Sequence, residues 1–239
     1  MTATELARTL LGPRWTTRVR CVSRGLALPR WGNLRRVRPF SDYFGFDRGT
    51  PIDRYYLDRF LVEHRADITG DVLEIQTSDH TRRYGSNLRV TDTVDINPNL
   101  DATYTCDLAA SEGVVPTAAY DCFLAPNTLS FFRDLDGSLR HALRVIRPGG
   151  TILATTAVLG PIDQNARDYW RLSADGWRQV GARVWPGCDV TIRAYGNCLA
   201  ATAAIMGLAV EELTPAELDV EDPKYPVLVG VRCRKPISL

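Results

Sequence analysis

The chain has 239 residues, 45% of them hydrophobic and 24% charged, with a formal net charge of +1. That is enough for one sizeable core and an appendage, but not two full domains, and the composition is that of an ordinary globular protein. No apolar run reaches bilayer-spanning length, and six scattered cysteines without a CxxC pair, beside three histidines without an HxxxH pair, argue against a membrane protein or a structural zinc site.

Residues 1–40 carry Arg8, Arg14, Arg18, Arg20, Arg24, Arg30, Arg35, Arg36 and Arg38 against the single acid Glu5. Pro13, Trp15, Pro29 and Trp31 break any amphipathic period that a transit peptide would need, and the arginines are mostly spaced singly, Arg35 and Arg36 alone being adjacent, rather than clustered as in a nucleic-acid arm. The reading is a basic arm or lid over residues 1–45 ahead of one domain over 46–239, in a cytoplasmic protein with reduced thiols, no nucleic-acid or membrane partner and no metal. Pairing of two copies into a homodimer is left open.

A helix is expected in "TPIDRYYLDRFLVEH", with Thr50 as cap, Pro51 at the first helical position, Asp53 in the first turn, and Gly70 in the turn beyond. Strands follow at "DVLEI" (71–75), "TDTVDI" (91–96), "ATYTC" (102–106), "YDCFLA" (120–125) and "GTILATT" (150–156), then at "AVEEL" (209–213) and "YPVLVGVRC" (225–233). Helices are expected at "LDGSLRHALRVI", at "SADGWRQVGARV" behind a Ser173 cap, and at the alanine-rich "NCLAATAAIMGLA". This alternation predicts an α/β protein: a Rossmann-like, seven-stranded, mostly parallel sheet with helices on both faces and the last strand antiparallel to its predecessor.

Ligands of such sheets sit beyond the carboxyl ends of the strands, beside the first strand. Acids stand at three successive strand ends: Glu74, Asp95 and Asp107. A carboxylate at Asp95 can accept from both hydroxyls of a ribose, and Asp107 with the Leu108 amide can read an adenine edge. Each acid can equally cap the helix that follows its strand.

The order of "VLEI", "VDINPN", "TCDLA", "YDCFLAPNTLSFFRD" and "LRVIRPGGTILAT" resembles the class I S-adenosylmethionine-dependent methyltransferases. "DRGTPIDRYYLDRFL" and "ARDYWRLS" resemble a bacterial subgroup associated with glycan or secondary-metabolite biosynthesis. The resemblance implies S-adenosyl-L-methionine as cofactor and a small-molecule acceptor, O-methylation first, N- or C-methylation next. It places Glu74 by the methionine amino group, Asp95 and Ile96 at the ribose, and Asp107 with Leu108 at adenine. Gln76 and Thr77 form the turn between, Pro126, Asn127 and Phe131 line the methyl-donor side, and Tyr55 closes over the methionine end. His80 and Tyr169 are the candidate catalytic residues, and Tyr43, Trp170 and Arg171 the candidate acceptor-binding ones. Tyr43 and Phe44 would meet Tyr169 and Trp170 as an aromatic lid.

Gln76 stands where the family carries glycine. A dinucleotide's pyrophosphate must approach that turn's backbone, so its loss weighs against a nucleotide-dependent oxidoreductase and less against a cofactor without phosphate. It also motivates the alternative of a related protein that has lost methyl transfer and serves as a binding or partner subunit.

Overall fold

The computed structural model describes residues 15, 18–19, 21–25, 30–163 and 167–237. The chain separates into two compact units, Met1–Arg38 and Pro39–Leu239. Much of the arginine-rich arm (residues 1–14, 16–17, 20 and 26–29) lies outside the described residues. Within the first unit the Arg18 guanidinium sits 5.4 Å from the Trp15 ring centre, and Gly32–Leu34 form a single 3₁₀ turn.

The second unit is built on seven strands: β1 (Thr69–Ile75), β2 (Ser86–Asp95), β3 (Tyr104–Thr105), β4 (Tyr120–Pro126), β5 (Ile146–Ala157), β6 (Asp189–Tyr195) and β7 (Leu228–Arg234). They are ordered β3-β2-β1-β4-β5-β7-β6. β3, β2, β1, β4 and β5 pair in parallel, and β7 runs antiparallel to both β5 and β6. Around them lie α1 (Ile52–Glu63), α2 (Asp79–Tyr84), α3 (Leu135–Val145), α4 (Ala174–Val184), α5 (Cys198–Ile205) and α6 (Pro215–Asp219).

The central strands are apolar on both sides because both faces are covered. Leu73, Phe123, Ala125, Ile152 and Ala154 point into one core, with Leu139 and Ala142 of α3 and Trp177 and Val180 of α4. Their alternates Val72, Cys122, Leu124 and Leu153 point into the other, with Tyr56, Leu57, Phe60 and Leu61 of α1 and Ala200 and Ala203 of α5. Alpha helix α1 lies so close to β7 that a Cβ on Gly230 would fall 2.4 Å from the Phe60 ring.

The expected fold class is observed, with corrections in its parts. "AVEEL" is not a strand. Val210–Glu212 form a 3₁₀ turn because Glu212 caps the Ala209 amide at 2.9 Å and Glu211 binds Thr50. The seventh strand is instead "DVTIRAY" (β6), and α5 and α6 intervene before β7. Thr50 does not cap α1: Pro51 holds the N-cap position, and the Thr50 hydroxyl donates to Glu211 at 2.8 Å. Gly70 lies within β1, not in a turn, at φ +72° where the register with β2 shifts. Ser173 and Asn197 cap α4 and α5 through Gly176 and Ala200.

Candidate functional site

The carboxyl ends of β1, β2, β4 and β5 open on one cleft of about 890 Å³, at the point where the strand order reverses beside β1. The turn leaving β1 defines its edge. Gln76 has φ +72°, and its amide donates to Val94 O at 3.0 Å, tying the turn to β2. A side chain in this left-handed region costs about 1–2 kcal/mol, which is why the position suits glycine. The Gln76 and Thr77 side chains are exposed and face the cleft. Among the described residues five non-glycines have positive φ, and three of them, Phe44, Gln76 and Asn127, line this cleft.

Glu74 is fully buried on β1 and meets four donors. Oε2 accepts from the Thr81 amide at 2.8 Å and the Thr81 hydroxyl at 2.7 Å, while Oε1 accepts from the His80 amide at 3.3 Å and faces His80 Nδ1 at 2.7 Å. A carboxylate offers about four lone-pair sites, so none is left for a ligand's ammonium. Glu74 lines the cleft, but it anchors the first turn of α2 rather than taking the part expected of it. With the Glu74 carboxylate as acceptor, His80 Nδ1 is the donor of this contact, and His80 also lines the cleft.

On β2, Asp95 Oδ1 accepts from the Asn97 amide at 2.6 Å, and Oδ2 takes no part in that bond. Ile96 beside it is exposed. After β3, Asp107 Oδ1 caps the 3₁₀ turn Leu108–Ala110 through the Ala109 amide at 2.9 Å. The Leu108 amide lies in the first turn of that segment, where no acceptor within the turn exists. All four residues line the cleft.

At the end of β4, Pro126 is buried and Asn127 stands at φ +52°. Asn127 Nδ2 donates to Asp53 Oδ2 at 2.7 Å, its Oδ1 accepts from the Thr155 hydroxyl at 2.9 Å, and its amide donates to Thr155 O at 3.0 Å. Asp53, on the first turn of α1, therefore reaches the cleft floor, and burial pushes its carboxyl above the ordinary aspartate range. It is a site residue that sequence reading missed. Its place in a helical first turn reads as a dipole partner, and only the Asn127 contact across 74 positions reveals the other role.

Beyond β5, the amides of Tyr169 and Trp170 both donate to Ser130 O, at 2.8 and 3.2 Å. This brings the exposed Tyr169 ring to the cleft along with Phe131. Trp170 does not line it: Nε1 donates to Phe132 O at 2.7 Å and the ring packs on the core. Arg171 lines the cleft, but its guanidinium is held by Asp168 and by Pro161 O. Tyr55 is also outside the cleft. Its hydroxyl donates to Asp219 at 2.6 Å, because its position on α1 turns it toward α6. Asp163 and Asp168 also line the cleft, and residues 164–166 between them lie outside the described residues.

A strap of residues 39–49 completes the wall. The buried Ser41 hydroxyl accepts from the Tyr43 amide at 3.0 Å and the Gly45 amide at 3.2 Å. Arg48 pairs with Glu212. Gly45, at φ +90°, lets the strap approach until a Cβ would lie 2.8 Å from Leu208 O. Tyr43, Phe44 and Phe46 are thereby presented to the same cleft as Tyr169.

No protein-family model matches the sequence, and no curated protein matches it. The fold is shared with solved S-adenosylmethionine-dependent methyltransferases. One from Archaeoglobus fulgidus is 15% identical, with a TM-score of 0.53 over 82% of this chain and 100% of its own. One from Mesorhizobium loti is 14% identical, with a TM-score of 0.50 over 77% of this chain and 98% of its own. At these identities the likeness is one of fold.

Proposed function

We propose that the protein is an S-adenosylmethionine-dependent methyltransferase acting on a small molecule, with oxygen the favoured methylated atom and a sugar or secondary metabolite the favoured acceptor class. The observation that carries the reading is the joint placement of Asp95, the Asp107–Leu108 turn and the left-handed Gln76 turn around one cleft at the strand-order reversal. Its volume of about 890 Å³ lies toward the upper end of ordinary ligand sites, leaving room for a nucleoside-sized cofactor and an acceptor together.

The residues fit such a cofactor at its nucleoside end. Asp95 Oδ2, with Ile96 beside it, would hold the ribose hydroxyls, and the Leu108 amide with Asp107 the adenine edge. Gln76 and Thr77 would frame the middle, with Pro126, Asn127 and Phe131 opposite. When bound, S-adenosylmethionine supplies an electrophilic methyl group on a sulfonium. The chain's own part is alignment and proton removal. His80 Nε2 would take the proton from the acceptor oxygen as the methyl carbon passes to that oxygen from sulfur, which keeps the electron pair of the broken bond, and buried Glu74 would hold the ring in the required tautomer and balance the resulting imidazolium. Tyr169, with Tyr43 and Phe44 of the strap, shields the reacting atoms from water.

The alternative of a partner subunit without transfer drew its motive from Gln76 in glycine's place. Gln76 takes the positive φ with its side chain exposed, which supports reading this turn as one that admits a cofactor. Incubating the protein with labelled S-adenosylmethionine and a panel of hydroxyl, amine and carbon acceptors tests the proposal. Transfer to oxygen acceptors supports it, and absence of transfer to any acceptor, with cofactor bound, restores the subunit reading.

A further inference from the structure

Among the described residues two buried side-chain polar atoms lack any hydrogen-bond partner, Thr128 Oγ1 and Asp168 Oδ1. Buried polar atoms are paired in the great majority of cases, so each orphan calls for an explanation. Both residues line the cleft. They also belong to one junction, because the amides following Asp168 are clamped on Ser130 O, two residues beyond Thr128. The Asp168 side chain is only 3% exposed, and Arg171 engages its Oδ2 alone, leaving Oδ1 desolvated and unsatisfied.

We propose that Thr128 and Asp168 form the recognition subsite for the acceptor, and that the acceptor presents a neutral hydroxyl there; this rests on the methyltransferase reading above. The charge balance selects the hydroxyl. Asp168 is already neutralised by Arg171, so a neutral O–H donor completes Oδ1 without adding charge. A protonated amine would leave a net buried positive charge beside Arg171, which is costly in a desolvated site. Thr128 both donates and accepts, as a hydroxyl partner requires. The exposed rings of Phe131 and Tyr169, adjacent in sequence to this junction, supply an apolar wall for the body of such a molecule.

Two probe pairs, benzyl alcohol with benzylamine and glucose with glucosamine, are titrated into wild type, Thr128→Val, Thr128→Ser and Asp168→Asn by ligand-observed NMR. Calorimetry with S-adenosylhomocysteine is run in parallel on the same proteins. At least one hydroxyl probe should bind wild type, weaken at least fivefold in Thr128→Val and Asp168→Asn, and recover in Thr128→Ser. S-adenosylhomocysteine affinity should stay within about twofold. The inference is overturned by equal binding to the variants, by tighter binding of the amine of either pair, by binding of no probe to wild type, or by parallel loss of probe and S-adenosylhomocysteine in the variants, which would indicate a folding role. Wild type that binds a hydroxyl probe through these residues but not S-adenosylhomocysteine would instead sink the methyltransferase reading and leave the subsite standing.

Discussion

Replacing Gln76 by glycine isolates the one residue that departs from a glycine turn. In the folded chain Gln76 sits at φ +72° with its side chain exposed, and no hydrogen bond from that side chain stabilises it. Its amide bond to Val94 O belongs to the backbone and survives the change. Relief of the left-handed strain gains about 1–2 kcal/mol, and the added freedom of glycine in the unfolded chain costs about 0.4–1 kcal/mol. Gln76→Gly is therefore expected to be stabilising by about 0.5–1 kcal/mol in urea denaturation. Gln76→Val, with a β-branched side chain at the same φ, should destabilise relative to wild type. S-adenosylhomocysteine should bind Gln76→Gly at least as well as wild type. Destabilisation of Gln76→Gly by more than about 1 kcal/mol, or a large loss of affinity, would refute the reasoning and show that the glutamine side chain makes a bond of its own.

Glu74→Gln turns one acceptor oxygen into a donor amide facing the buried Thr81 and His80 donors, so urea denaturation should show a loss of about 1–3 kcal/mol; a change below 0.5 kcal/mol would contradict the anchoring role. Asp53 has a carboxyl raised above 3.8 by burial, so between the unfolded and folded values the folded state holds a proton that the unfolded state has released. Its contribution is fully favourable below the unfolded value and is lost as pH rises through the folded one. Asp53→Asn should then raise Tm at pH 7, with the advantage vanishing as pH falls toward 3.8; an advantage independent of pH would show that desolvation of the charge is not the cause.

The architecture was legible because apolar strands at 71–75, 120–125 and 150–156 alternate with helices such as the one behind Ser173, which caps it as expected. The edge was harder. β6 alternates exposed Asp189, Thr191 and Arg193 with half-buried Val190 and Ile192, a period-two signal that three polar residues dilute. "AVEEL" has strand-like ends, but its two glutamates find partners at Arg48, Thr50 and Ala209, more than 150 positions away for the first two. The acids at strand ends pointed to the cleft, yet the task of each depended on its neighbours. Asp95 engages the Asn97 amide through one oxygen, while Glu74 commits both oxygens to the first turn of α2. Tyr55 and Trp170 look like site aromatics in a string of letters. Helical phase and an indole bond to Phe132 O turn them elsewhere.

Calorimetric titration with S-adenosylhomocysteine tests the central claim most directly. The account predicts one site per chain in the wild-type protein and a loss of about 2–3 kcal/mol of binding free energy in Asp95→Ala, whose free oxygen would hold the ribose hydroxyls. No detectable heat with wild type, and no competition by S-adenosylmethionine, would contradict it.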